Sequence, residues 1–178
     1  RDILQGARVL DLASHDGRWS FAALQAGASH VTGVEARARL VRNSRATFAD
    51  YGVSRRSYKF VRGDMFEVLR KKKLDADVVM CLGFMYHTVR YPELLRGIRD
   101  ANPKHLIIDT KVTLDDRPVI ELRPNATAVE SNAARDEVSH GDTALAGWPS
   151  VPALELMLDL YDFEVEERYD WPSLISAQ

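Results

Sequence analysis

Three sets of residues have types and spacings that could do chemistry. The first is the run Val9-Leu10-Asp11-Leu12-Ala13-Ser14-His15-Asp16-Gly17, where an apolar strand ends in an acid and a small-residue turn before a helical pattern begins near Trp19. A strand-to-helix turn of this kind brings backbone N–H groups and a helix N-terminus close to a bound nucleotide, and small residues permit that approach. A pyrophosphate-binding turn would carry three glycines, whereas Ala13, His15 and Gly17 stand here. The carboxylate of Asp11 would repel a pyrophosphate and attract an ammonium, so a cationic ligand is expected. The second set is two histidines, His87 beside Tyr86 and His140 beside Gly141 and Asp142. An imidazole with an ordinary pKa of about 6.5 is largely neutral at pH 7. It can take the proton of an aliphatic hydroxyl, a task in which a positioned base contributes about 10² to 10⁴ in rate. The third set is the carboxylates Asp109, Asp115 and Asp116, enough to hold a divalent ion such as magnesium, which would acidify a bound hydroxyl. A hydrogen bond to substrate is the other use open to Asp109. Cysteine and histidine do not occur with zinc-ligand spacing.

These groups need a scaffold, and the pattern of apolar runs supplies one. Strand-like runs at 8–12, 30–35, 58–62, 77–82 and 105–109 alternate with helical stretches, which implies an α/β fold with a parallel sheet. Ser20 is expected to cap a helix that runs through Ala26, with Gly27 as the left-handed residue ending it. The next helix follows Glu35 to about Tyr51, stops at Gly52 and turns Leu40, Phe48 and Tyr51 to the sheet. A helix over 92–99 takes Pro92 in its first turn, offers Leu94, Leu95 and Ile98 to the sheet and ends at Asn102-Pro103. From 110 to 150 the chain mixes acids, prolines and small residues with scattered apolar positions. An irregular insertion is expected there, placed after the fifth strand so that it folds over the ligand mouth as a lid. A helix over 152–160 with Leu154, Met157, Leu158 and Leu160 inward and a sixth strand over 163–169 complete the reading. No strand follows Trp171, and the tail 172–178 looks truncated, so the expectation is one domain over 1–178 with its last strand missing.

The motifs and their order resemble those of class I S-adenosylmethionine-dependent methyltransferases over roughly residues 7–112. The run through Asp11 is similar to the family's first motif, and His30-Val31-Thr32-Gly33-Val34-Glu35 to its second strand. Val61-Arg62-Gly63-Asp64-Met65 and Asp77-Val78-Val79-Met80-Cys81-Leu82-Gly83 resemble its third and fourth stations, and Phe84-Met85-Tyr86-His87 then falls at the substrate-facing position. The resemblance implies a Rossmann-like, doubly wound, mostly parallel sheet that binds S-adenosylmethionine. Asp11, Ala13, Gly17 and Leu82 would then surround the cofactor, Glu35 would take its ribose hydroxyls, and Asp64 and Met65 would meet its adenine. His87 would be the base, with Tyr86 beside it and His140 on the lid as a second candidate. Ala13 and His15 depart from the family's glycines and narrow the room for the methionine end.

Leu82-Gly83-Phe84-Met85-Tyr86-His87, followed by Tyr91-Pro92-Glu93-Leu94-Leu95, resembles a stretch shared by two groups of enzymes. One comprises the bacterial tRNA wobble-uridine carboxymethyltransferases, the other actinobacterial sugar O-methyltransferases acting on methylmannose polysaccharide. The resemblance implies an O-methyltransferase for a small polar acceptor, with a sugar or oligosaccharide preferred. The alternatives are a tRNA-modifying enzyme and a non-catalytic scaffold of the same fold. The missing glycines and Asp11 argue against a hydride-transferring enzyme. Trp148 and Trp171 could stack on a sugar or anchor the insertion to the core.

Composition agrees with one soluble domain. The chain has 178 residues, a formal net charge of −2 and a single cysteine, Cys81, expected to be a small core residue. No apolar run approaches the roughly 20 residues that cross a bilayer, and no signal-peptide pattern opens the sequence, so a cytoplasmic enzyme without a membrane partner is expected. Basic residues crowd the first half, among them Arg37, Arg39, Arg42, Arg45, Arg55, Arg56, Lys59, Arg62 and the run 70–73, while acids dominate the last third. Such a region could hold nucleic acid, although arginines three or four apart on a helix ordinarily form its solvated face.

Overall fold

The apolar runs at 8–12, 30–35 and 78–82 form strands buried on both faces, as parallel strands covered by helices must be, while those at 58–62 and 105–109 form partly exposed edge strands. The computed structural model describes residues 2–71 and 74–169, and Lys72, Lys73, Trp171 and the tail 172–178 lie outside the described residues. The elements are β1 (Arg8–Leu12), α1 (Arg18–Gln25), β2 (His30–Glu35), α2 (Ala38–Asp50), β3 (Tyr58–Arg62), α3 (Met65–Lys71), β4 (Val78–Leu82), α4 (Tyr91–Asp100) and β5 (His105–Asp109). They are followed by β6 (Ile120–Ala126), β7 (Thr143–Pro149) and α5 (Val151–Leu160). Strands β1 to β5 make one sheet in the order β3-β2-β1-β4-β5, and every pairing in it is parallel. This is the doubly wound, Rossmann-like α/β architecture. Its core centres on β1 and β4, where Leu10, Leu12, Val79 and Cys81 are buried against α3 and α4. Burial pushes the Cys81 thiol up to about 12, so it is an inert packing residue.

Local chemistry explains where the helices begin and end. Pro92 sits in the first turn of α4, and Leu94, Leu95 and Ile98 are buried beneath it. Gly27 takes the left-handed conformation just beyond α1, with φ 96°. Ser20 does not cap α1. Gly17 stands at the N-cap, and Ser20 lies buried inside the helix, where its hydroxyl donates to Asp11 Oδ2 at 2.5 Å. Tyr51 and Leu160 are exposed rather than inward: Tyr51 stands at the C-cap of its helix, and Leu160 lies about 200° around α5 from the buried Leu158. Helix α3 carries no sequence expectation above, since its seven residues are too short for a periodic stripe to stand out.

The insertion is more ordered than its composition implies. Strands β6 and β7 pair antiparallel over seven residue pairs, from Ile120↔Pro149 to Ala126↔Thr143, and form a separate two-stranded sheet. Among the described residues after α5, 163–169 hold no strand, and the antiparallel pair lies within the insertion. Among the described residues no helix is long and apolar enough to cross a membrane.

Candidate active site

Strand order reverses between β1 and β4, and the crevice outside their carboxyl ends is where an open α/β sheet takes a ligand. A cleft of about 460 Å³ opens there. Its floor is the turn after β1, in which Ala13 and His15 hold left-handed backbones with φ 54° and 50° and Gly17 follows at φ 82°. The first two positions keep a conformation that glycine favours while carrying side chains. Hydrogen bonds impose it: Ser14 N–H donates to the Val34 carbonyl at 2.9 Å, and Gly17 N–H donates to the Ser14 carbonyl at 2.8 Å. Gly17 has a second reason to be glycine, because a Cβ there would meet the Phe60 ring at 3.0 Å and Ser44 at 3.2 Å.

Glu35 ends β2 at the edge of this turn. Its Oε2 accepts from His15 N–H at 3.1 Å and its Oε1 from Arg37 N–H at 2.7 Å, and the residue is only 6% exposed. Each oxygen keeps a lone pair for a further donor. Asp64 follows β3, and its Oδ1 accepts from Phe66 N–H at 2.8 Å at the start of α3. Burial raises the Asp64 carboxyl above its ordinary range, against the pull of the Phe66 N–H and of Arg90. Ala13, Glu35, Asp64, Met65 and Leu82 all line the cleft together, as do Trp19 and Arg37, neither of which sequence reasoning assigned to the site.

The opposite wall is the segment 130–138, tied across the opening by guanidinium groups. Arg37 Nη1 donates to the Asn132 carbonyl at 3.0 Å, and its Nη2 approaches the carbonyls of Thr127, Val129 and Ala133 at 3.2 Å. Arg39 pairs with Glu130. From the other side Arg90 reaches Asp136 at 3.2 Å and Glu137 at 3.0 Å while gripping Glu93 and lying 3.8 Å over the Phe66 ring. Arg45 donates to the Phe60 carbonyl, and Arg70 and Lys71 pair with Glu67. Several cations of the basic first half are thus engaged within the fold rather than free to hold a polyanion.

At the far end of the cleft, Gly83 turns the chain out of β4 with φ 72° into a 3₁₀ turn, Met85–His87. The rings of Tyr86 and His87 lie 4.2 Å apart, and the His87 Nδ1 is 2.7 Å from Nδ2 of Asn125 on β6. Burial, then the Lys111 and Arg37 cations, pull His87 down to about 4, so its imidazole is neutral at pH 7. Burial and then the Asp109 charge push the Tyr86 phenol upward. Lys111 Nζ stands 4.9 Å from the Tyr86 ring and 5.3 Å from that of Trp148, which Arg123 also covers at 3.8 Å. Trp148 is accordingly engaged by cations on its ring.

Other sequence candidates are placed elsewhere. Asp11 is 1% exposed, lies beneath the turn and does not line the cleft; burial raises its carboxyl to about 7, opposed by Ser20. It supports the turn from behind, so the acid that faces the cleft beside this turn is Glu35. Gly17 likewise shapes the turn without lining the cleft. His140 is exposed at the base of the β6–β7 connection, where its backbone pairs with Thr143, and it is not part of the cleft wall. The expectation of a magnesium site at Asp109, Asp115 and Asp116 is corrected. No group of three or more His, Cys, Asp or Glu among the described residues is arranged to hold a metal. Asp115 is instead taken by Arg117, which holds its carboxyl down to about 2.

A sheet of this order, with its cleft at the strand reversal, defines a nucleotide-type α/β domain, and comparison with known proteins narrows the class. Residues 9–102 match the methyltransferase domain family, and the chain belongs to it. The curated proteins include no match. Among solved structures, the N-terminal domain of EvdMO1 with SAH bound is similar at 16% identity and a TM-score of 0.65, covering 90% of this chain and 66% of that one. The same domain in the presence of SAH and D-fucose gives 17% and 0.67, covering 95% and 73%. An S-adenosylmethionine-dependent methyltransferase from Mesorhizobium loti gives 17% and 0.64, covering 98% and 84%. At these identities the likeness is one of fold, and this chain spans just under two thirds of the first of them.

Proposed function

We propose that the chain is an S-adenosylmethionine-dependent O-methyltransferase that methylates a hydroxyl of a small polar acceptor, with a saccharide as the preferred class. One observation carries the reading: Glu35 and Asp64 line the same cleft as His87, with the strand reversal between them. The residues suit the cofactor. Glu35 keeps lone pairs for ribose hydroxyls, Asp64 and Met65 stand at the tip of β3 for the adenine, and Ala13 lets the ligand approach the floor. When bound, S-adenosylmethionine supplies a methyl group made electrophilic by a positive sulfur. The protein's part is then alignment of the acceptor at near-attack distance and removal of its proton. His87 is the proposed base, neutral at pH 7 and bounded by Tyr86. The segment 130–138 acts as the lid over the acceptor. A neighbouring fold crystallised in the presence of SAH and D-fucose supports a sugar acceptor.

Calorimetric titration with S-adenosylmethionine and its demethylated product, with NAD as control, tests the cofactor. Binding of the pair alone is expected, followed by methyl transfer to members of a saccharide panel. Binding without transfer to any acceptor would favour a scaffold, and transfer confined to tRNA would overturn the saccharide. His87→Ala is expected to lose about 10² to 10⁴ in kcat with cofactor affinity unchanged. Full turnover in that variant removes His87 as base.

A further inference from the structure

We propose that Asn125 is a positioning residue whose side-chain amide oxygen accepts from Nδ1–H of His87, so that Nε2 meets the acceptor hydroxyl as a lone pair. The inference rests on the reading of His87 as base. A neutral imidazole has one N–H and one lone pair, and the partner of one nitrogen decides what the other can do. Here one nitrogen is committed: the Asn125 amide is 2.7 Å from Nδ1, and Nε2 is the nitrogen left for a ligand.

The contact is built into the fold. Asn125 is 9% exposed and paired in register with Ala144, itself buried, so the β6–β7 hairpin fixes where the amide stands. In the orientation described, its Oδ1 is buried without a hydrogen-bond partner. The two ends of a side-chain amide are told apart only through their hydrogen bonds. A half-turn of the amide exchanges its ends: the oxygen accepts from Nδ1–H, which yields the tautomer a base requires, and the NH2 takes the buried place of Oδ1. The opposite orientation would put the proton on Nε2 and make His87 a donor to the acceptor.

The surroundings make an oxygen at Nδ1 useful. The charged groups acting on His87 are Lys111, beyond β5, and Arg37, beyond β2, and both disfavour the imidazolium formed when a proton is taken. Tyr86 contributes its ring, and Asp109 acts on Tyr86. From the hairpin, Arg123 is tied to Glu121, which leaves the Asn125 amide as the group in direct contact with Nδ1. An amide oxygen there orients the ring and eases the positive charge.

Imidazole ¹⁵N NMR of the wild-type protein reads the tautomer directly. A proton on Nδ1 of His87 is expected, and a proton on Nε2 would overturn the proposal whatever His87 does in turnover. Kinetics supply the second test. Asn125→Ala is expected to lose about 10²-fold in kcat, the lower end of what a positioned base supplies, with acceptor KM and S-adenosylmethionine affinity unchanged. Asn125→Asp keeps an acceptor oxygen and adds a negative charge, so turnover should be retained and the acidic limb of kcat/KM should move to higher pH. An Asp variant as inactive as the Ala variant, with cofactor affinity intact, would overturn the proposal. An Nδ1 proton together with a fully active His87→Ala variant would sink the base reading alone.

Discussion

On the β1–β2 side of the cleft the groups are fixed by backbone hydrogen bonds and burial, whereas the segment 130–138 opposite them is tied by guanidinium groups reaching over from other elements. Glu35 is held by two N–H donors, His15 from the turn after β1 and Arg37 from just past β2, and Asp11 is sealed beneath the β1 turn against Ser20. The segment 130–138 depends on Arg37, Arg39 and Arg90, and the Arg39–Glu130 pair is half exposed on both partners. Exposed pairs contribute at most about 1 kcal/mol each and weaken with salt. The contrast is one of fastening: backbone hydrogen bonds and burial hold one side, and side-chain ties, some of them half exposed, hold the other.

The sharpest way to break the comparison is to change the buried acid of the rigid side. With its carboxyl raised from 3.8 to about 7, Asp11 is protonated in the fold at a pH where the unfolded chain has lost the proton. Its contribution is fully present below pH 3.8 and is lost as pH rises through about 7. A shift of about three units corresponds to roughly 4 kcal/mol. Asp11→Asn keeps an acceptor for Ser20 and cannot ionise, so it should be more stable than wild type at pH 8 and similar at pH 4. Urea unfolding at the two pH values decides, and parallel profiles for both proteins would remove Asp11 as a pH-dependent element.

On the weaker side the same logic predicts a smaller, localised effect. The Arg90 side chain is 10% exposed and Asp136 17%, so that pair is partly desolvated, while Glu93 and Glu137 are 41% and 60% exposed and screened. Arg90→Ala should cost about 2 kcal/mol, the range of a charged hydrogen bond reduced for the exposed partners. Amide hydrogen exchange should rise over 127–138 and stay unchanged in β1 and β2. A uniform rise would mean that the two sides unfold as one unit and that the contrast is false.

The rigid side was legible in the sequence because its elements are long apolar runs with acids and glycines at their ends. Strands at 8–12, 30–35, 58–62 and 105–109 appear with those bounds, and β4 begins one residue later than expected. Glu35 and Asp64 could be found for the same reason, as polar residues at strand tips. The hairpin side was obscured by an inverted pattern. In β6 the apolar Ile120 and Leu122 face solvent while Asn125 faces inward, and Pro124 interrupts the run, as an edge strand tolerates. Asn125 is a lone amide whose partner lies 38 residues away, and no local spacing marks it. Arg37 was visible as charge but not as a tie, because its acceptors are backbone carbonyls, which no residue type announces.

The smallest predicted effect sharpens the comparison by asking what rigidity costs. Ala13 at φ 54° occupies a region that costs a residue with a Cβ about 1–2 kcal/mol. Glycine would relieve that strain but would add about 0.5–1 kcal/mol of unfolded-chain entropy. Ala13→Gly should therefore stabilise the fold by between about 0 and 1.5 kcal/mol, read as an equal or higher urea midpoint. If the turn is rigid because Ser14 and Gly17 bond it in place, S-adenosylmethionine should bind the variant as it binds wild type. A stabilised variant that binds more weakly would mean that the Ala13 Cβ itself shapes the floor, and the departure from glycine would then be part of how this cleft fits its ligand.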